Sequence, residues 1–400
     1  SNLNLAGVND ILNLSGTISL RGCFANCTTL TTVGRINEWE TSTIIDMSQL
    51  FSSATNFNQD ISGWNVSAVT SMIGMFNRAA NFNQNIGAWN VSACMSFGLM
   101  FGSAATFNNG GSSDINNWQI KTNGAINMSN MFHSVSGFNQ PIGNWNVSAV
   151  TDMSGMFYTA RSFNQDISSW NVSAVTNMSN MFGGATNFDQ NIGSWNVSNV
   201  TNFGGMINST AFNNGGSPDI KNWQIKTNSP VNMSNLFYGT PFNQNISSWN
   251  VSAVTNMLQM FAHSTFNQDI RNWNTGAVTN MVGMFSNNNI FNQPIGNWNT
   301  SKVTDMSNMF NSATAFNQDL GSWNISNVIN FYSFMGGKTP ETFSASNLDA
   351  IYNGWSSRPV KPSIGLHFGS AKYTAASLAG RNILTGAPNT WTLSDGGMQQ

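Results

Sequence analysis

Charge is scarce in this chain. Only 8% of its 400 residues are Asp, Glu, Lys or Arg, about a third of the share in an ordinary soluble domain. The 14 basic and 16 acidic side chains leave a formal net charge of −2. That gives no basic surplus with which to hold nucleic acid or an anionic membrane surface. Glu is missing altogether between Glu40 and Glu341, and histidine is down to His133, His263 and His367, far apart in sequence. No Ser/His/Asp order, phosphate-cradling loop or Cys-x-x-Cys spacing accompanies them. The expectation is a non-enzymatic protein without catalytic residues, cofactor or metal centre. Cysteine is also sparse: Cys23, Cys27 and Cys94 are too few and odd in number for a disulfide framework. Each reads instead as a small buried hydrophobe. No apolar run approaches the roughly 20 residues of a spanning helix. Disorder is excluded from the other side, because disordered chains are poor in aromatics and 12% of this one is Phe, Trp or Tyr. The chain opens on Ser1 with neither Met nor a leader pattern, as a mature or truncated form would.

What is present is a repeat. Trp falls at 39, 64, 89, 118, 145, 170, 195, 223, 249, 273, 298 and 323, with gaps of 24 to 29 residues and mostly 25. Self-similarity at such a period is the mark of a stacked repeat architecture. One repeat reads Ile61-Ser-Gly-Trp64-Asn-Val66-Ser-Ala-Val69-Thr-Ser-Met72-Ile-Gly-Met75-Phe76, then Phe82-Asn83-Gln84. Phe97, Phe203 and Phe331 replace the first Met. Two repeats carry the same insertion, Phe107-Asn-Asn-Gly-Gly-Ser-Ser-Asp and Phe212-Asn-Asn-Gly-Gly-Ser-Pro-Asp, 105 residues apart, which points to duplication of a four-repeat block.

Within a repeat, Trp64-Asn65-Val66 alternates apolar, polar, apolar, the pattern of a short half-buried strand. Met72, Met75 and Phe76 follow at three-and-four spacing, which suits one or two helical turns with an inward edge. Phe82-Asn83-Gln84 then turns the chain toward the next strand. The fold class expected is a leucine-rich-repeat-like solenoid, with short parallel strands on one face and short helical turns and loops on the other. Its boundaries are an N-terminal cap over 1–20, carrying Leu3, Leu5, Leu12 and Leu14; a solenoid of 12–13 coils over 21–336; and a C-terminal cap over 337–400. The cap is expected to hold helices near Asn347–Tyr352 and Thr374–Leu384 and a last strand at Trp391-Thr-Leu.

The run Trp-x-Val-Ser-x-Val-Thr-x-Met-x-x-Met-Phe…Phe-Asn-Gln-x-Ile resembles the roughly 25-residue repeats of mycoplasma-type and other bacterial surface proteins. These form a branch of the BspA-like leucine-rich repeats, also found in some protists and large viruses. The likeness covers about residues 21–336. The first repeat, Gly22-Cys23-Phe24-Ala-Asn-Cys27-Thr-Thr-Leu30, resembles the commoner BspA-like pattern on the same frame. The resemblance implies surface exposure and binding, and it brings no enzymatic site.

Candidate sites follow from what repeats and what does not. The residue after Phe-Asn-Gln, or its equivalent, runs Asp60, Asn85, Asp114, Pro141, Asp166, Asn191, Asp219, Asn245, Asp269, Pro294, Asp319, with Asp in every second repeat. Calcium at this edge is one reading; capping of the turn before the strand is preferred. Asn58, Asn83, Asn139, Asn164, Asn243, Asn267, Asn292 and Asn317 are expected to form an inward ladder that satisfies turn backbone groups. The outward positions Asn65, Asn90, Gln119, Asn146, Asn171 and their equivalents make a neutral amide stripe. Variation concentrates in the loop after the helical turn, at Arg78, His133, Tyr158, Arg161, Tyr238 and His263. Tyr and Arg are enriched in binding hot spots, so these six form the candidate binding edge. The expected function is a surface-exposed adhesion or interaction module on a cell or particle. Its partner would be a protein or glycan on another surface, with no nucleic acid and no membrane span. The alternative is a structural subunit of an extracellular appendage, surface layer or viral fibre that pairs with copies of itself. A glycan reader built on the periodic Trp is disfavoured, since those rings should be buried.

Overall fold

The computed structural model describes Leu5 and residues 10–399; Leu3 of the expected N-terminal cap lies outside them. The chain divides into two compact units, Ser1–Val200 with Ser209–Gly215, and Thr201–Asn208 with Gly216–Gln400.

In the first unit consecutive repeats are joined by parallel bridges that run Ser19, Asp46, Ser71, Ser96, Asn127. Two short strands, β1 (Ile126–Asn127) and β2 (Val150–Asp152), continue this parallel pairing, and Asp152 then bridges Asn177. The bridges sit just before the first Met of each repeat, not on Trp-Asn-Val as the alternation suggested. Trp64 and Val66 are buried and Asn65 is exposed, as a strand would require. But the Asn65 side chain accepts from the Ser67 N–H (3.1 Å) and hydroxyl (2.7 Å), which closes a local turn. Asn side chains compete with strand pairing in this way, and the pairing passes to the segment after Val69.

The helical turns expected at Met-x-x-Met-Phe are also absent. The N–H groups of Met72, Gly74, Phe76 and Arg78 donate to the carbonyls of Ser96, Gly98, Met100 and Gly102 in the next repeat, at 2.7–2.9 Å. The intervening N–H groups of Met75, Asn77 and Ala79 bond three residues back. The chain is thus a run of linked turns that also forms a ladder with its neighbour. Each run needs a left-handed residue at its third and seventh positions: Gln49 (φ 58°) and Ser53 (φ 58°), then Gly74 (φ 59°) and Arg78 (φ 61°). A helix cannot tolerate that alternation.

Packing follows the columns the periodicity marks. Trp64 stacks on Trp89 at 6.5 Å and 3°, and Phe76 stacks on Phe82 at 3.9 Å and on Phe101 at 5.7 Å. The periodic Trp are buried, and each indole N–H from Trp64 to Trp195 donates to an Ile carbonyl of the repeat before it, as Trp64 does to Ile36 at 2.7 Å. Cys27 and Cys94 are buried; burial pushes the Cys94 thiol up to about 12. Cys23 is exposed, against expectation, because it stands where its column begins.

The second unit repeats the same ladder through Asn202, Asn232, Asn256, Asn280, Asp305 and Asn330, with β3 (Val231–Asn232) and β4 (Val254–Asn256) paired in parallel. Beyond it the Trp rhythm gives way to α1 (Ala345–Ser356), β5 (Gly365–His367), α2 (Leu378–Thr385) and β6 (Thr392–Ser394), close to the elements expected there. Ser344 caps α1 by accepting from the Asn347 N–H, and Leu348, Ile351, Tyr352 and Trp355 form its buried face. The Phe column ends on Lys338. Its ammonium, on a residue only 2% exposed, donates to the carbonyls of Ala313 (2.5 Å) and Phe316 (2.7 Å) and lies 5.9 Å from the Phe316 ring centroid. Among the described residues no helix is long and apolar enough to cross a membrane.

Candidate functional site

The six edge residues fall into two groups. Arg78, His133, Tyr158 and Arg161 belong to the first unit, and Tyr238 and His263 to the second. The backbone sets their direction. His133 and Tyr158 follow the buried repeat Phe (Phe132, Phe157) and precede a left-handed residue (Ser134, φ 58°; Thr159, φ 55°). Their side chains therefore leave the core at the same point of successive repeats. The two rings stack at 5.3 Å and 8° and are half-buried. The same position is Gly102 in the repeat before and Gly183 in the repeat after, so neither outer ring face is flanked by a side chain of its own column.

Beside this pair lies a groove of about 310 Å³, lined by Asn130, His133, Ser154, Gly155, Tyr158, Ser179 and Asn180. Gly155 is its floor. Its φ is +59°, and a Cβ there would fall 2.3 Å from Asn130 Oδ1. Only glycine leaves room for the Asn130 amide to lean across. Burial holds the His133 imidazole below the usual histidine range. The groove wall carries no charged side chain. Asn130, Gly155 and Asn180 were not singled out in sequence, since they read as ordinary repeat members. The signal was a Gly between two Asn in one left-handed column.

Tyr238 and His263 are also close, at 5.1 Å and 57°, but tilted rather than stacked. His263 Nε2 lies 3.4 Å from Asn287 Nδ2. His263 (φ 56°) and Arg78 (φ 61°) both occupy the left-handed position that Ser or Gly fills in most repeats. Arg78 and Arg161 are exposed, form no ion pair among the described residues, and do not line the groove. The edge is thus not one cluster: in the first unit it reduces to the His133–Tyr158 pair and its groove.

Three of the repeated polar columns are consumed by the fold. Asn58 Oδ1 accepts from the Asn83 N–H (2.9 Å), Asn83 from Asn108 and Gly110, and Asn139 from Asn164. The expected ladder is present, but it runs along a half-exposed edge rather than inward. Asp189 replaces Asn once, and its carboxylate takes the N–H groups of Asn213 (2.6 Å) and Gly215 (2.9 Å). The Asp and Asn after Phe-Asn-Gln accept from the N–H two residues on, as in Asp60 to Ser62 and Asp166 to Ser168. The Ser168 hydrogen bonds hold Asp166 below the usual carboxylate range. Among the described residues no three of His, Cys, Asp and Glu gather as a metal site would need. Each Asn of the outward stripe likewise accepts from the residue two on, as in Asn146 to Ser148.

These features define a repeat protein with short parallel strand pairs and an interruption of its polar columns at a few aromatic positions. The family described as "Mycoplasma protein of unknown function, DUF285" matches it four times, over residues 18–126, 110–223, 210–290 and 231–350, and the chain belongs to that family. Comparison with curated proteins and with solved structures gave no match.

Proposed function

We propose that the chain is a leucine-rich-repeat-like solenoid of the BspA-like kind, and that it serves as a non-enzymatic adhesion or interaction module on the surface of a cell or particle. The observation that carries this reading is the contrast between columns. The Asn of the Phe-Asn-Gln ladder, the Asp and Asn that follow it, and the Asn of the outward stripe are hydrogen-bonded within the fold. The variable positions after the repeat Phe instead present paired rings, His133 with Tyr158 and Tyr238 with His263. Side chains that a fold does not need, and that carry Tyr, His and Arg, are where binding energy concentrates. The test is flow cytometry of fluorescently labelled protein on intact bacterial and animal cells. Changing Tyr158, Arg161 and Tyr238 together to Ala should abolish binding while leaving the melting temperature nearly unchanged. Full binding by that variant would sink the edge as the contact surface.

A structural, self-associating role has its own observation. In the first unit Ile18 (59% exposed), Ile45 (43%), Ile73 (41%), Met95 (41%) and Leu99 (38%) lie on successive repeats, with Ile45 bonded to Ile18 and Met95 to Thr70 through the backbone. Exposed apolar side chains on neighbouring repeats are candidates for contact with another copy. Sedimentation that finds only monomer at high concentration would remove this reading.

A further inference from the structure

We propose that the groove beside His133 and Tyr158 binds a neutral carbohydrate, with one pyranose ring against the Tyr158 side of the aromatic pair. The inference deepens the surface-binding reading and rests on it. The electron-rich face of an aromatic ring favours contact with positively polarised C–H edges, and a pyranose offers a face of axial C–H groups. The opposite wall is polar. The amides of Asn130 and Asn180, the Ser154 hydroxyl and the Tyr158 phenol make no hydrogen bond within the protein among the described residues. An amide offers two donors and an acceptor, and a hydroxyl offers both roles, which is the complement of a ring bearing several hydroxyl groups.

Two other ligand classes fit less well. A peptide that added to the ladder would need unpaired backbone groups. Here Asn130 N–H donates to Ser154 (2.8 Å), Gly155 N–H to Ser179 (2.8 Å), His133 N–H to Asn130 (3.1 Å) and Tyr158 N–H to Gly155 (3.0 Å). These N–H groups are spent, which disfavours strand addition and leaves recognition to side chains. An anionic ligand would leave water for a groove lined by no Lys or Arg, at an uncompensated cost. The groove's volume, about 310 Å³, stands at the small end of ligand sites and suits one or two sugar rings.

The test uses the full chain on immobilised neutral oligomers of glucose, galactose, mannose and N-acetylglucosamine, with sialylated and sulfated glycans alongside. Two variants probe the two walls. Tyr158→Ala removes the ring at a position that is Ser52, Gly102 or Gly183 elsewhere, and Asn130→Gly with Asn180→Gly removes both amides where Gly74 and Gly155 already occur. Both should therefore fold, which thermal melting verifies. The expected result is binding of at least one neutral oligomer, weakened roughly tenfold or more by each variant, since buried aromatic and hydrogen-bonding anchors dominate such sites. No neutral oligomer bound at millimolar concentration, binding indifferent to both variants, or preference for the anionic glycans would each overturn the inference. Cell binding separates it from the broader reading. Adhesion lost with Tyr158→Ala but not competed by neutral oligomers overturns the carbohydrate assignment alone. Adhesion untouched by the variants overturns both.

Discussion

Trp39 and Trp64 should respond oppositely to the loss of the indole N–H. Both rings are buried, 6% and 3% exposed, and they stack on each other at 6.1 Å and 12°. Trp64 donates to the Ile36 carbonyl at 2.7 Å, whereas Trp39 Nε1 is buried with no partner among the described residues. Replacing either by Phe removes the pyrrole portion; taking the two cavities as equal, that contribution cancels in the difference. Trp64→Phe also forfeits a hydrogen bond. The Ile36 carbonyl keeps the Trp39 backbone N–H at 3.3 Å, so it is not stranded, and the loss is the net value of one bond, about 1 kcal/mol. Trp39→Phe instead deletes an unsatisfied buried donor and recovers about 1–3 kcal/mol. Trp64→Phe should therefore be more destabilising than Trp39→Phe by about 2–4 kcal/mol. The two repeats are neighbours, so fraying of the array affects both alike. Guanidinium titration followed by circular dichroism, with amide exchange read across residues 20–100 to localise the effect, measures the difference. Equal costs, or a larger cost at Trp39, would refute the account of the indole column.

The left-handed positions give a second test: Gly74→Ala should destabilise by about 1 kcal/mol through φ alone, since its Cβ would meet nothing nearer than 3.6 Å, and Arg78→Gly should be neutral or stabilising; the reverse order in thermal melts would dismiss the linked-turn description. Lys338 gives a third. Burial lowers its pKa to about 8 from 10.5, so the unfolded chain binds the extra proton between those values and stability should rise with pH across that window, by about 3 kcal/mol at most. Lys338→Met should flatten the rise relative to the parent protein in melts from pH 7.5 to 10, and parallel pH profiles would count against it.

Much of the core was legible in the sequence because burial depends only on pattern. Trp64, Val66, Val69, Met72, Met75 and Phe76 are all inside, as the period requires. The local conformation was not legible from the same spacing, because i, i+3, i+4 is shared by a helix and by two linked turns. The residues that break the tie are Gly74, Asn130, Gly155 and Asn180, which tolerate φ > 0 at one fixed place in the repeat. The strand was misplaced for a related reason: Asn65 sits between two buried residues but bonds its own neighbour. At the site, His133 and Tyr158 were visible as departures from the repeat, and their shared position in adjacent repeats foretells that they meet. The groove was not visible, because it is built from repeat members and from the absence of a side chain at Gly155.

Low charge and the location of the candidate site have a common cause. A repeated residue stands about 5 Å from its own copy, where like charges repel by about 1–3 kcal/mol depending on exposure. The bridge column shows the consequence: Asp46 and Asp152 are separated by Ser71, Ser96 and Asn127, and Asp189 enters the Asn ladder once, where it gains two N–H donors. An amide suffers no such penalty and can bond its neighbour, so repetition selects Asn and then uses up its hydrogen-bonding capacity. A surface assembled in this way offers little to a partner. Capacity survives at few places, and the break at His133 and Tyr158, beside repeat amides left unbonded, is one of them. A ring pair with glycine on either side along its column has no neighbour to bond, and the open amides of Asn130 and Asn180 lie beside it. On the proposed reading, the same periodic constraint that leaves the chain poor in charge directs binding to its aromatic exceptions, and it favours partners recognised through hydroxyl groups rather than through ionic contacts.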